Sequence, residues 1–141
     1  MTDEYSDAKP SEVYDIFFLR VKNDGMDYPQ KVEGRSGKWL LFLKEGDELD
    51  LMWQKVGRSI LEGTLGRIAK VSTMKPNSRQ ASTGTGVICV YTYSIDDLED
   101  ARRVRQRLRD LGITREIPYK LDADVGRYSN QGEAGLSKLY E

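Results

Sequence analysis

No histidine occurs anywhere in the chain. That absence excludes histidine-based triads and histidine general acids, and it excludes zinc sites as well, because the one cysteine, Cys89, cannot supply four ligands. A lone cysteine makes no internal disulfide, so the expected setting is a reducing, cytoplasmic one. No apolar run approaches the 18 or so residues of a membrane span. Residues 1–9 also lack the apolar centre of a signal peptide. The expectation is therefore no membrane, no metal and no cofactor. An excess of one charge is missing too: 22 basic and 23 acidic residues leave a net charge of −1, without the whole-domain basic field of a general nucleic-acid binder. Any anion site has to be local.

What is present fits one domain. A chain of 141 residues lies within the usual range for a single core, and at that size roughly 68 to 70% of the unfolded surface is buried without help from disulfides or metal. Residues 1–12 hold four acids, one lysine and a proline with little to bury, which predicts a mobile acidic tail before a single domain over 13–141. Apolar residues in 13–22 suit a strand, with a helix as the alternative for so short a run. Lys38 to Lys44 carries apolar residues on both faces, as a covered central strand requires. From Asp47 the residues Leu49, Met52, Trp53, Val56 and Ile60 recur at helical spacing and stop at Gly63, predicting a helix over 47–62.

Two further strands are predicted over 67–73 and 86–93, joined by a polar loop of about 13 residues, a length at which loops are usually functional or disordered. A second helix is predicted from a cap at Ser94 or Asp96 to Leu111, its apolar stripe formed by Leu98, Ala101, Val104, Leu108 and Leu111. Residues 115–121 read as a strand, with Pro118 indicating an edge position or a bulge. The sum is an α+β fold with helices on one face of a sheet and the other face free.

The charges are not evenly spread. Gly63 to Ile95 contains no acid and four bases, Arg67, Lys70, Lys75 and Arg79, which predicts a positive patch on a nearly neutral chain. Lys70 stands in mid-strand, where a buried unpaired ammonium costs several kcal/mol, so it must face solvent, pair with an acid or line a wet hollow. The functional reading gathers Lys38, Lys70, Lys120, Arg127 and Lys138 into a cation ring, with Trp39, Tyr91, Tyr119 or Tyr128 to stack on a ligand. Trp39 reads more readily as core than as a stacking platform. Cys89 and Trp53 read as core. Arg102, Arg103, Arg105, Arg107 and Arg109 share their helix with acids at i,i+3 or i,i+4 and read as a solvated, self-paired face. Gly84 and Gly86 lack the GK[ST] of a phosphate loop.

A resemblance adds to this. Gly37-Lys38-Trp39-Leu40, Leu65-Gly66 followed by Ile68-Ala69-Lys70-Val71-Ser72, Val87-Ile88-Cys89-Val90-Tyr91, Leu108-Arg109 with Leu111-Gly112, Tyr119-Lys120 with Asp122, and Gly126 with Tyr128 occur in an order similar to that of the basophilic leukaemia-expressed protein family. Archaeal relatives of that family carry a phosphothreonine lyase label. The resemblance implies a fold like that of the cap-binding translation initiation factor 4E: a curved, mainly antiparallel sheet with helices on its convex side and a concave ligand face. The lyase label implies β-elimination of phosphate by a lysine base and a histidine acid. Without histidine, the base role falls to Lys70 and the acid role to Lys120 or Tyr119. The favoured reading is a binding module in which Lys38, Trp39, Lys70, Tyr91, Lys120, Arg127 and Tyr128 hold a phosphate-bearing small molecule, an RNA end or a phosphopeptide. A phosphothreonine lyase-like enzyme and a protein-interaction scaffold built on the arginine helix are the alternatives.

Overall fold

The computed structural model describes residues 7–76, 84–124 and 139–141. Six strands form one antiparallel sheet: β1 (Phe18–Lys22), β2 (Gly37–Lys44), β3 (Ile68–Ser72), β4 (Thr85–Thr92), β5 (Pro118–Leu121) and β6 (Leu139–Tyr140). Their spatial order is β1-β3-β4-β2-β5-β6. Two helices, α1 (Asp47–Glu62) and α2 (Leu98–Asp110), pack on one face of this curved sheet. Among the described residues, no helix is long and apolar enough to cross a membrane.

The helix-side face is the core. Period-two alternation sends Leu19 and Val21 of β1, Trp39, Leu41 and Leu43 of β2, Ala69 and Val71 of β3, Ile88 and Val90 of β4, and Tyr119 and Leu121 of β5 inward, all of them buried. They meet the α1 stripe of Leu49, Met52, Trp53, Val56 and Ile60 and the α2 stripe of Ala101, Val104 and Leu108. Helix α1 runs over the residues its periodicity predicts. It ends at Gly63, whose φ of 78° is the left-handed conformation that glycine adopts without penalty. Helix α2 is capped three residues after Ser94 and one after Asp96, by the Asp97 carboxylate accepting from the Asp100 N–H.

Four expectations are corrected. The acidic segment is not free through residue 12: Pro10 is buried, Pro10–Glu12 form a 3-10 turn against α1, and the Ser11 backbone N–H and hydroxyl donate to the Asp50 carboxylate at 3.0 and 2.6 Å. Of residues 13–22, only Phe18–Lys22 pair as a strand. Pro118 does not mark an edge, since β5 lies between β2 and the two-residue β6; it occupies the first strand position, where the missing N–H costs least.

The arginine face of α2 is the fourth. Arg105 is 2% exposed and donates to three carbonyls, those of Glu141 at 2.7 Å, Ile113 at 3.0 Å and Arg115 at 2.6 Å. It ties the end of β6 and the segment before β5 to the helix. Arg105→Met should lower stability by about 2 to 4 kcal/mol in urea unfolding, because it takes the guanidinium donor from the buried Ile113 carbonyl and unties the Glu141 and Arg115 carbonyls from the helix. Arg105→Lys should restore less than half of that loss, and a midpoint unchanged by Arg105→Met would contradict this role.

Candidate functional site on the open sheet face

The face turned away from the helices carries the second half of every strand's alternation. β1 contributes Phe18, Arg20 and Lys22, β3 contributes Ile68, Lys70 and Ser72, and β4 contributes Val87, Cys89 and Tyr91. β2 adds Lys38, Leu40, Phe42 and Lys44, and β5 adds Lys120. Among the described residues, no strand contains an aspartate or glutamate, so every charge that these strands place on this face is positive.

Register brings two like-charged pairs together. Arg20 lies opposite Lys70, and Lys38 lies opposite Lys120. Direct cross-strand repulsion of this kind is destabilising. The second pair has an internal remedy: the Lys38 ammonium donates to Asp122 Oδ1 at 2.7 Å, and the Ser36 hydroxyl donates to the other oxygen of the same carboxylate at 2.9 Å. Asp122 is held in place because its own N–H donates to the Ser36 carbonyl. The first pair has no such remedy. Among the described residues, neither Arg20 nor Lys70 has a carboxylate within ion-pair distance.

Lys70 instead meets aromatic rings. Its ammonium is 5.1 Å from the Phe18 ring centre and 5.8 Å from that of Tyr91, while the Lys38 ammonium approaches Tyr91 at 5.6 Å, all within cation–π range. Lys70 also lies beside Cys89, which faces Leu40 on β2. Burial pushes the Cys89 thiol up to about 11, and burial raises the Tyr91 hydroxyl above its ordinary value.

A cavity of about 440 Å³ opens at this end of the sheet. Five basic residues line it, Arg20, Lys22, Lys31, Arg67 and Lys70, against two acids, Asp24 and Asp122. Its outer wall is the segment around Tyr28–Lys31. The Tyr28 hydroxyl donates to Asp100 at 2.6 Å, its ring meets that of Tyr93 edge-on at 5.4 Å, and its carbonyl accepts from the Arg67 guanidinium. Burial first, and then the bond to Asp100, hold the Tyr28 hydroxyl protonated well above its ordinary range. Val32 N–H donates to the Tyr93 carbonyl at 2.9 Å, fastening the wall to the sheet.

The predicted site residues divide. Lys38, Lys70 and Tyr91 come together on the open face, and Lys120 stands beside Lys38 in register. Trp39 and Tyr119 are on the other face, fully buried and edge-to-face at 5.1 Å. The Trp39 indole N–H donates to the Ala101 carbonyl at 3.0 Å, and the Tyr119 hydroxyl shares a 2.7 Å bond with Thr92. Neither offers a ring or a proton to a ligand on the open face, which corrects the stacking role of Trp39 and the acid role of Tyr119. Arg127, Tyr128 and Lys138 lie outside the described residues, as does Arg79.

Sequence reasoning missed Arg20, Lys22, Lys31 and the Tyr28 wall. Arg20 carried a readable signal, since it stands mid-strand between buried Leu19 and Val21 just as Lys70 stands between Ala69 and Val71. The acid-free window splits. Arg67 and Lys70 enter the cavity, whereas the Lys75 ammonium covers Phe17 at 4.6 Å and donates to the Asp15 carbonyl. Three of the five helix arginines are engaged rather than presented: Arg105 as above, Arg102 with Glu141, and Arg103 with Asp100 and the Thr64 and Leu65 carbonyls.

Comparison with known proteins agrees with this architecture. The sequence profile of the basophilic leukemia-expressed protein Bles03 matches residues 20–125, three-quarters of the chain. The chain belongs to the Bles03 family. Solved structures of translation initiation factor 4E share the fold. A schistosome eIF4E in complex with m7GpppA and 4E-BP superposes with a TM-score of 0.60 at 16% identity, over 83% of this chain and 66% of that one. An Ascaris suum eIF4E-3 bound to an m2,2,7G cap gives 0.56 at 18% identity, over 74% and 62%. A C. elegans eIF4E-3 bound to the 4E-binding protein Mextli gives 0.57 at 16%, over 78% and 66%. This Bles03-family chain thus spans slightly less than two-thirds of each of those proteins, and the likeness is one of fold.

The raised pKa values carry a pH dependence. A thiol or phenol whose folded value exceeds its unfolded one stabilises the fold fully below the unfolded value and loses that contribution as pH rises through the folded value. Cys89 is raised from 9.0 to about 11, Tyr119 by burial from 10.0 to about 12, and Tyr93 through its bond to Asp97 from 10.0 to about 12. Urea midpoints should hold to about pH 9 and then fall steadily towards pH 12. Ellman's reagent at pH 8 should leave Cys89 unlabelled in the native protein and label it at once in urea; fast native labelling would contradict the burial.

Proposed function

We propose that this Bles03-family protein is a binding module for a phosphate-bearing ligand, held in the cationic cavity on the open sheet face. The observation that carries the reading is the Arg20–Lys70 pair: two adjacent cations on the neighbouring strands β1 and β3, without a carboxylate partner among the described residues, lining a cavity with Lys22, Lys31 and Arg67. Such an arrangement is unfavourable until an anion enters. The fold supports the reading, since eIF4E proteins of the same fold have been solved with cap nucleotides bound.

Energetics narrow the ligand class. Three charge-assisted bonds at about 1.5 to 3 kcal/mol each supply roughly 4.5 to 9 kcal/mol. Association costs about 4 to 15 kcal/mol. Phosphate alone is therefore a weak ligand, and useful affinity needs a planar group against the aromatic rings, worth about 1 to 3 kcal/mol per base. A nucleotide or an RNA end meets both requirements. Tyr91, Tyr28 and Tyr93 border the cavity, and Tyr91 stands between the Lys38 and Lys70 ammonium groups.

The test is heteronuclear NMR titration with nucleoside triphosphates, inorganic phosphate and a phosphothreonine peptide. Shifts should concentrate on Arg20, Lys70, Tyr91 and Arg67, with nucleotides binding more tightly than inorganic phosphate. Lys70→Ala and Arg20→Ala should each weaken nucleotide binding by roughly 10-fold or more, the effect of one charge-assisted bond. Unchanged affinity in Lys70→Ala would overturn the reading. Release of inorganic phosphate from the peptide would replace it with the lyase reading.

A further inference from the structure

The open face has a second half that the cavity does not use. Phe18 on β1 and Phe42 on β2 are 43% and 49% exposed, both on this face. They lie on one cross-strand row: Phe18 is opposite Ser72, the Ser72 hydroxyl accepts from the Val87 N–H at 3.0 Å, and Val87 is opposite Phe42. Three strand spacings separate the two rings, roughly 14 Å. The cation row of Arg20, Lys70, Cys89 and Leu40 runs parallel to it, two residues along each strand and so about 7 Å away.

Phe18, at the start of the outer strand β1, and Phe42, on β2, are large apolar side chains that the strands leave exposed on this face, and each offers a bare ring for stacking. Here they sit on a surface whose strand charges are all positive, and one of them already touches a cation, Lys70 over Phe18. An apolar protein surface would match the rings and leave the cations buried without partners. A membrane would match the charges, but Phe18 and Phe42 project from a curved sheet rather than from an amphipathic helix. Single-stranded nucleic acid matches both rows at once: a chain of phosphates with a base set one sugar away from each.

We propose that the open face binds a short single strand of nucleic acid, with one phosphate in the cavity at Arg20 and Lys70 and two non-adjacent bases of the strand stacked on Phe18 and Phe42. The inference rests on the phosphate-binding reading of the cavity and extends it along the sheet. Its specificity is for single strands, because a base paired in a duplex has no free face to lay on either ring. Stacking on phenyl rings reads no base edge, so sequence preference is weak.

The experiment is fluorescence anisotropy with labelled hexauridylate and hexathymidylate, alongside unlabelled uridine triphosphate and a phosphothreonine peptide as competitors. The hexamers should bind at least 10-fold more tightly than the triphosphate, and a hexamer already annealed to its complement should lose that gain. Phe18→Ala and Phe42→Ala should each weaken the hexamers by roughly 5- to 150-fold, while Phe42→Ala leaves triphosphate affinity within 2-fold. Both rings are solvent-exposed, so the variants should fold, which circular dichroism and unchanged melting temperature will verify. Hexauridylate above hexathymidylate assigns the strand as RNA, and the reverse as DNA; either supports the proposal. Triphosphate binding without a gain for hexamers overturns this inference and leaves the cavity reading intact. Loss of both in the wild-type protein overturns the cavity reading as well. A peptide that competes better than the hexamers, with affinity lowered by the phenylalanine substitutions, assigns the aromatic row to a protein ligand and overturns the inference.

Discussion

The Trp39 indole donates its N–H to the Ala101 carbonyl in the first turn of α2, and much of the site follows from that bond. A buried tryptophan with an unsatisfied N–H is expensive, so the ring is committed to the helix side. Period two then commits its neighbours on β2 to the other side. Lys38, Leu40 and Phe42 face away from the helices for this reason, and the ladder from β2 through β4 to β3 and β1 passes the same phase to Tyr91, Lys70 and Arg20. The Trp39–Tyr119 ring contact carries it the other way, to Lys120 on β5. A one-residue slip in β1, β2, β3 or β5 would bury a cation and expose a core side chain, which makes the register steep in free energy.

Gly37 belongs to the same constraint. A Cβ built there would stand 2.5 Å from the Tyr119 ring. The absence of a side chain at the head of β2 is what lets that ring close over Trp39 and reach Thr92. The Gly-Lys-Trp run that opens the strand is one unit: a space for a ring, a cation for the open face, and an anchor for the helix.

Period and spacing made much of this legible in advance. Both helices, the central strand and the free sheet face could be read because each rests on several residues that repeat a local pattern. Lys70 was readable because a charge between two buried apolar neighbours has few places to go. Trp39 could not be assigned a side from its neighbours, since an aromatic beside a lysine satisfies a core and a stacking platform equally well. Arg105 was misread because i,i+4 acids on a helix look the same whether the helix surface is bare or covered by a returning chain end; its three carbonyl partners come from residues 113, 115 and 141, which only the tertiary fold assembles. The Tyr28 wall was invisible for the same reason. Its contacts to Arg67, Tyr93 and Asp100 span 39 to 72 positions along the chain.

Near-neutrality overall and strong local polarity coexist here because the acids are kept off the strands. The aspartates and glutamates cap helices and fill connections, while Asp122 alone among the nearby carboxylates quenches one of the two cross-strand cation pairs. The unquenched Arg20–Lys70 pair therefore leaves a standing repulsion in the sheet. On the proposed reading, any anion that settles between these two groups removes that repulsion while it forms its own bonds, so binding and resistance to unfolding rise together.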